Sequence, residues 1–309
     1  MRLVVVGATG AVGTQILSIL KERNFRVDEL VPVASPRSAG RKLAFDGREC
    51  EVQTLSPQVF EGADLALFDV DDPLALQWAP VAAAAGAVVV DNSAAWRMDP
   101  EVPLVVPEVN PDAALSRPKG IIASPNCTTL AMIVPIAPLH MAAGLERLIL
   151  ASYQAVSGSG KVGIDDLWEQ TEVIAKEPDL ASAGLAGDVL TGGKAFSHPI
   201  AMNVIPHCGS TKEHGYTGEE LKLCHETRKI MSLPELRVTA TCVRVPVVTG
   251  HGVAVHAEFS RDISPDEARS ILSGAPGVEL QDDLASGEYP TPLRAAGKDP
   301  CYVGRIRQD

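Results

Sequence analysis

Cys127 stands in the block Ser124-Pro125-Asn126-Cys127-Thr128-Thr129, directly after the β-rich run Ile121 to Ala123 and at the head of an apolar segment with a helical pattern. Amides at a helix N-terminus favour a thiolate and can hold a developing oxyanion, so the position suits a sulfur nucleophile that attacks an acyl group. A cysteine in apolar surroundings is more often a small buried hydrophobe. Its company decides between the two.

A second block opens the chain. Leu3-Val4-Val5-Val6 runs into Gly7-Ala8-Thr9-Gly10-Ala11-Val12-Gly13, a G-x-x-G-x-x-G turn between a strand pattern and a helix pattern. Glycines there let the backbone turn tightly and let a pyrophosphate approach the amides, while the helix N-terminus supplies partial positive charge. Gly7, Thr9, Gly10, Ala11, Val12 and Gly13 are candidate cofactor contacts; a purely structural turn is the plainer alternative. The next strand pattern ends in Val33-Ala34-Ser35-Pro36-Arg37-Ser38, with no acidic residue to meet a ribose 2′-hydroxyl. Arg37 flanked by Ser35 and Ser38 suits a 2′-phosphate, which makes NADP the expected cofactor.

The remaining ionisable residues are ambiguous singly. Glu219 and Lys222 lie three apart on a predicted helix and share a face, which alone reads as a surface ion pair. Arg97 and Arg244 alone read as surface charge or a structural pair. His207-Cys208, His214 and Cys224-His225 match no zinc spacing and are taken as structural or surface residues, so no metal is expected. His256, on the strand after His251, is expected to be a packing residue.

These residues need a scaffold. In the first half, β-rich runs at Leu3 to Val6, Glu29 to Ala34, Leu65 to Phe68, Val88 to Val90 and Ile121 to Ala123 alternate with helical patterns at Val12 to Lys21 and Leu74 to Ala85. That alternation predicts a parallel sheet with crossover helices. The second half has longer strand patterns at Leu148 to Ala155, Leu236 to Val248 and Val253 to Phe259, with helices at Ile164 to Lys176 and Glu219 to Met231. An α+β domain on a mixed or antiparallel sheet follows. The boundary falls near Asn126 and gives domains 1–126 and 127–309.

Composition removes several function classes. The 309 residues carry 27 Lys plus Arg against 39 Asp plus Glu, a formal charge of -12, which leaves no diffuse basic surface for a nucleic-acid backbone. Aromatic residues are only 4%, too few to stack a single strand. No apolar run approaches the roughly 20 residues that span a bilayer, and the apolar start lacks a cleavage pattern and reads as a first strand. Cys50, Cys127, Cys208, Cys224, Cys242 and Cys301 form no Cys-x-x-Cys pair, as expected of reduced thiols in the cytoplasm.

Further blocks extend the pattern: Ser35-Pro36-Arg37-Ser38-Ala39-Gly40, Asp91-Asn92-Ser93-Ala94-Ala95-Trp96-Arg97-Met98, Val105-Val106-Pro107-Glu108-Val109-Asn110, Tyr153-Gln154-Ala155-Val156-Ser157-Gly158, Gly215-Tyr216-Thr217-Gly218-Glu219-Glu220-Leu221-Lys222 and Arg244-Val245-Pro246-Val247-Val248-Thr249-Gly250-His251-Gly252. With the glycine turn and the Cys127 block, in this order, the chain resembles the aspartate-β-semialdehyde dehydrogenases along almost its whole length. The resemblance implies an α/β protein with an N-terminal Rossmann-type dinucleotide-binding domain and a C-terminal α+β catalytic and dimerisation domain. It implies NADPH-dependent reductive dephosphorylation of β-aspartyl phosphate to aspartate semialdehyde through a cysteine thioester, and the reverse oxidation with phosphate. That step serves the biosynthesis of lysine through diaminopimelate, and of threonine, methionine and isoleucine. By matching position, Cys127 is the nucleophile, His251 carries the acid/base step and Gln154 orients substrate or nucleophile. Arg244 grips the α-carboxylate, Glu219 accepts from the α-ammonium, and Arg97, Asn126 and Lys222 hold the phosphate. Ser157 and Gly158 join the glycine turn, Ser35, Arg37 and Ser38 as cofactor contacts. The implied partners are this small substrate, phosphate and NADP, with self-association as a homodimer or homotetramer and neither nucleic acid nor membrane.

Two departures qualify the expectation. Where relatives carry a serine-alanine-glycine-glycine loop, this chain has Asp69-Val70-Asp71-Asp72-Pro73, carboxylates that would repel an anionic dinucleotide unless they point away. The chain also ends at Gly304-Arg305-Ile306-Arg307-Gln308-Asp309, where relatives continue into a segment that returns to the nucleotide domain. The alternatives are an N-acetyl-γ-glutamyl-phosphate reductase, which the charge on Glu219 disfavours, and a non-catalytic relative that has lost cofactor binding.

Overall fold

The valine-rich start of the chain forms β1 (Arg2–Val6), and the side chains of Leu3 to Val6 are all buried, as a strand covered on both faces requires. The computed structural model describes residues 1–309, which divide into two units, Met1–Asn126 and Cys127–Asp309.

After β1 the first unit runs α1 (Ala11–Glu22), β2 (Glu29–Val33), β3 (Lys42–Phe45), β4 (Arg48–Glu51), β5 (Leu65–Phe68), α2 (Asp72–Ala84), β6 (Val88–Asp91) and β7 (Ile121–Ala123). Its main sheet has the order β2-β1-β5-β6-β7 with every pair parallel. Strand order reverses between β1 and β5, so the connections leaving β1 and β5 diverge and open a crevice at their carboxyl ends. The glycine turn lies there: the Gly7 and Ala8 amides donate to the Val33 carbonyl at 2.9 and 3.1 Å, and the Asp69 amide donates to the Val6 carbonyl at 2.9 Å. The β3–β4 hairpin, turning through Asp46 and Gly47 at positive φ, has no counterpart in the sequence expectation because its charged residues hide the period of two.

The second unit runs α3 (Cys127–Ala143), β8 (Leu145–Gln154), α4 (Gly160–Ile174), α5 (Pro178–Ser182), α6 (Gly218–Ile230), β9 (Arg237–Arg244), β10 (Gly252–Phe259), α7 (Pro265–Ser273), β11 (Val278–Leu280), α8 (Pro292–Ala295) and β12 (Cys301–Val303). Its main sheet is mixed: β8 lies between β9, to which it is parallel, and β10, to which it is antiparallel. Alternate residues of β8, among them Leu148, Leu150, Ser152 and Gln154, face inward and are buried. Leu148 and Leu150 pack with Met132 and Ile136 from α3, Leu223 from α6 and Cys242 from β9. Burial of each large aliphatic side chain here contributes about 1.5–3 kcal/mol.

Register fixes where the ends fall. Gln154 pairs with Arg244 and Tyr153 with Gly252, so the last residues of β8 and β9 and the residue that leads into β10, His251, all lie at one end of the sheet. His256 does not pack as expected. It pairs with Ile149 on the outward face, is exposed, and its Nε2 lies 3.0 Å from Asp309 Oδ2.

Helix α6 is tied to the sheet by Glu220. Thr217 and Glu220 form a capping box, in which the Thr217 amide donates to Glu220 Oε2 at 2.7 Å, and the other carboxylate oxygen accepts from the Cys242 amide of β9 at 2.9 Å. Truncation strands two buried N–H groups. Glu220→Ala is expected to lower unfolding free energy by about 2–4 kcal/mol in urea denaturation, with Glu220→Gln losing less; an unchanged midpoint for Glu220→Ala would refute the tie.

Candidate active site

Cys127 is the first residue of α3 and is open to solvent. Its Sγ lies 3.2 Å from His251 Nε2. Although the residue as a whole is exposed, the protein around the thiol is dense enough that burial raises it above its ordinary range, and Glu219 adds to the rise. The side chain and amide of Thr128 hydrogen-bond the sulfur and, with Arg244, act in the opposite direction. The His251 imidazole is pushed below its usual value by burial and then by Arg244, against Glu219 and the Gly250 carbonyl.

Gln154 joins these groups. Its buried amide Nε2 donates to Thr128 Oγ1 at 2.6 Å and to Glu219 Oε1 at 3.3 Å, while its Oε1 meets no partner in the protein. Glu219 in the first turn of α6 also pairs with Lys222 Nζ at 3.3 Å. Buried Arg244 donates through Nη1 to the Ala155 carbonyl at 2.6 Å and lies over the Phe196 ring at 5.8 Å. Gly158 closes the group: a Cβ there would come 3.0 Å from Arg244 Nη1 and 3.7 Å from the His251 ring. Cys127, His251, Gln154, Glu219, Lys222, Arg244, Ser157 and Gly158 therefore belong to the second unit, and most of them touch one another directly.

The other predicted residues belong to the first unit. Arg97 is buried, donating through Nε to the Ser124 carbonyl at 2.9 Å and through Nη2 to the Asn92 carbonyl at 2.8 Å. Asn126, also buried, directly precedes Cys127 in the chain. In the glycine turn, a Cβ at Gly7 would sit 2.1 Å from the Asp69 carbonyl oxygen and one at Gly13 would sit 2.2 Å from the Gly7 carbonyl oxygen. No side chain caps α1 at Gly10, where the first amides of that helix, at Ala11, Val12 and Gly13, lie. Thr9 lies in the same turn. Ser35, Arg37 and Ser38 follow the carboxyl end of β2, with Arg37 exposed and the Ser38 amide bonded to the Ser35 carbonyl at 2.8 Å. These residues fit a dinucleotide whose pyrophosphate rests on α1.

Comparison with known proteins gives the chain its family. Residues 2–116 match a family model described as semialdehyde dehydrogenase, NAD binding domain, and residues 136–309 one described as semialdehyde dehydrogenase, dimerisation domain. The chain is 51% identical over 312 residues to the aspartate-semialdehyde dehydrogenase of Streptomyces akiyoshiensis, covering 100% of this chain and 89% of that protein. The chain belongs to the aspartate-semialdehyde dehydrogenase family. The Aquifex aeolicus member is 47% identical over 310 residues, with 100% of this chain and 88% of that protein covered. Among solved structures, aspartate semialdehyde dehydrogenase II of Vibrio cholerae complexed with ASA matches with a TM-score of 0.93 at 41% identity, over 100% of this chain and 88% of that one.

Within this dehydrogenase family member the acidic loop after β5 is largely committed to structure. Asp71 caps α2 by accepting from the Leu74 amide at 3.2 Å, and Asp72 accepts from the Ala94 amide at 2.9 Å. Asp69 accepts from Asn92 Nδ2 at 2.9 Å, yet its carboxylate stays beside the glycine turn, with Oδ2 3.9 Å from where a Gly10 Cβ would lie. Thr128, Ala155 and Phe196 were not picked out from sequence. Thr128 was legible as the residue next to a helix-leading cysteine; the Ala155 backbone and the Phe196 ring act only through tertiary contacts.

Two outcomes follow. Thr128→Val removes a donor to the sulfur and should slow iodoacetamide alkylation of Cys127 severalfold at neutral pH, whereas Thr128→Ser should stay near wild type; equal rates in all three would refute the contact. Asp69→Asn removes a negative charge near the pyrophosphate site and should tighten NADPH binding about threefold in a fluorescence titration, with unchanged affinity the contrary result.

Proposed function

We propose that the protein is an NADP-dependent, phosphorylating aspartate-semialdehyde dehydrogenase with Cys127 as nucleophile. The observation that carries the reading is the contact of Cys127 Sγ with His251 Nε2, beside Gln154, Glu219 and Arg244. Sγ adds to the acyl carbon of β-aspartyl phosphate, the bond to phosphate breaks and a thioester remains on Cys127. NADPH, when bound, supplies the hydride that reduces it. Expulsion of Sγ from the reduced adduct releases aspartate semialdehyde and returns the thiolate.

The chain's own residues account for substrate choice. Arg244 spends one N–H on Ala155 and offers the rest of its fork to the α-carboxylate. Glu219 and the unpartnered Gln154 Oε1 accept from the α-ammonium. Lys222, Arg97 and Asn126 receive the phosphate. His251 serves the reacting carbonyl oxygen, the glycine turn holds the pyrophosphate, Arg37 with Ser35 and Ser38 takes the 2′-phosphate, and Ser157 and Gly158 complete the cofactor contacts. An acetylated nitrogen carries no charge for Glu219 to meet, which disfavours N-acetyl-γ-glutamyl phosphate.

The outward face of the β8 sheet, with Ile149, Tyr153, Ala254 and His256 exposed, is assigned to self-association of the dimerisation domain as a homodimer. No helix is long and apolar enough to cross a membrane. The six free thiols suit a reducing compartment, and we assign the protein to the cytoplasm.

Purified protein should form NADPH from aspartate semialdehyde only when phosphate is present, and Cys127→Ala should cut kcat by about 10⁴-fold or more. Absence of phosphate-dependent turnover, or an active Cys127→Ala enzyme, would overturn the assignment. Ile149→Glu should shift sedimentation to monomer, an unshifted dimer contradicting the assigned face.

A further inference from the structure

Two buried polar side chains of α4 are committed to one loop. Asp166 and Gln170 stand four residues apart, so both project from the same face of α4, and that face is buried. The Asp166 carboxylate accepts from the Lys194 amide through Oδ1 at 3.0 Å and from the Ala195 amide through Oδ2 at 2.7 Å. Gln170 Oε1 accepts from the Ile200 and Ala201 amides at 2.7 and 3.1 Å, and its Nε2 donates to the Thr191 carbonyl at 3.2 Å. Gly193 leaves no room for a Cβ against the Asp166 carboxylate, so the loop is drawn tightly onto the helix. A buried carboxylate is unfavourable unless its oxygens are hydrogen-bonded, and here both are met by backbone N–H groups of one short stretch.

Between these two anchors lies Phe196. A Cβ at Gly163, in the first turn of α4, would come 3.2 Å from the tip of its ring, and the ring packs against the cluster of Val156, Leu167 and Ile200. Its face lies 5.8 Å from the Arg244 guanidinium carbon. The same segment ends on the backbone of Arg244 itself: the Ile205 amide donates to the Arg244 carbonyl at 2.9 Å, and the Arg244 amide donates to the Ile205 carbonyl at 2.8 Å. Arg244 thus meets the Ala155 carbonyl along one edge and an aromatic ring over one face, which restricts a long side chain with many rotamers. We propose that Phe196, set on α4 by Asp166 and Gln170, is a positioning residue whose ring is the platform that holds the Arg244 guanidinium in the plane from which it grips a substrate α-carboxylate. This rests on the role assigned to Arg244 above.

The chemistry of the pair favours a ring over a charged partner. A planar guanidinium binds a carboxylate through two parallel N–H groups only when its plane is aimed at that carboxylate. An aromatic face attracts the cation without accepting a conventional hydrogen bond, so the N–H groups not bonded to Ala155 stay available to the substrate. A protein carboxylate in the place of Phe196 would occupy those donors and compete. The platform therefore acts on recognition of the α-carboxylate and not on acyl or hydride transfer, and its loss falls on KM more than on kcat.

Steady-state kinetics of the full chain test this with Phe196→Leu and with Phe196 replaced, by codon suppression, with a meta-difluorinated phenylalanine. The fluorines keep the shape of the ring, leave its tip beside Gly163 unsubstituted and weaken the negative charge of its face. Phe196→Leu is expected to raise KM for aspartate semialdehyde about tenfold and the fluorinated ring about threefold, with kcat changed less than about twofold in both. A ring that only packs would tolerate the fluorines, so a fluorinated protein with the wild-type KM, or a loss confined to kcat, would overturn the proposal. Asp166→Asn turns an N–H toward the loop amides and should raise KM in the same direction; if it does not fold, Gln170→Leu reads the same anchor, and a wild-type KM in the variant that folds contradicts the anchoring. A readout free of turnover is the Arg244 Nε–H resonance in ¹⁵N-arginine-labelled protein, assigned by its loss in Arg244→Lys. It should move downfield in Phe196→Leu as the shielding of the ring face is removed, and an unmoved resonance would refute the platform. If the wild type forms no NADPH from aspartate semialdehyde and phosphate, the assigned activity fails, while the resonance still decides the platform.

Discussion

The pairing of β8 with its two neighbours is the constraint on which the second unit depends. Gln154 opposite Arg244, and Tyr153 opposite Gly252, bring an amide, a guanidinium and the His251 imidazole to one end of a sheet. A slip of one residue would turn Gln154 to the outward face and Tyr153 inward, because side chains alternate along a strand. Inward packing of Leu148 and Leu150 against Met132, Ile136 and Leu223 opposes that slip. The same core seats α3, whose first residue is Cys127, and α6, whose first turn carries Glu219 and is anchored by Glu220.

Electrostatics at the sulfur are a balance and not a simple activation. Burial and Glu219 oppose the thiolate, while Thr128 and Arg244 favour it. In the proposed function Glu219 meets the substrate ammonium, and its opposition to the Cys127 thiolate would be the cost of that recognition. A substrate that brings its own ammonium to Glu219 would relieve it, which couples binding to thiolate formation. The formal charge of -12 leaves no diffuse basic surface, and the proposed anion contacts rest on a small set, Arg37, Arg97, Lys222 and Arg244.

The parallel sheet was legible because each of its strands is a short aliphatic run followed by a turn, and the glycine turn was legible because backbone packing at Gly7 and Gly13 leaves no room for a side chain. The β3–β4 hairpin was not, since a charged edge ribbon lacks apolar alternation. His256 misled: its neighbours Val255 and Ala257 are apolar, but the register with Ile149 sends it outward. The side chains of the candidate site could be named from blocks of residues, whereas the part played by Ala155 could not. Backbone N–H and C=O groups carry no residue identity, and their targets appear only once β8 and the segment before β10 are paired.

Acyl transfer is proposed to proceed on Cys127. Its most direct measurement is intact-protein and peptide mass spectrometry after the full chain is mixed with aspartate semialdehyde and NADP in the absence of phosphate. An aspartyl thioester on Cys127 that disappears when phosphate is added is the expected result. Turnover without an adduct on Cys127, or an adduct on any other cysteine, would contradict it.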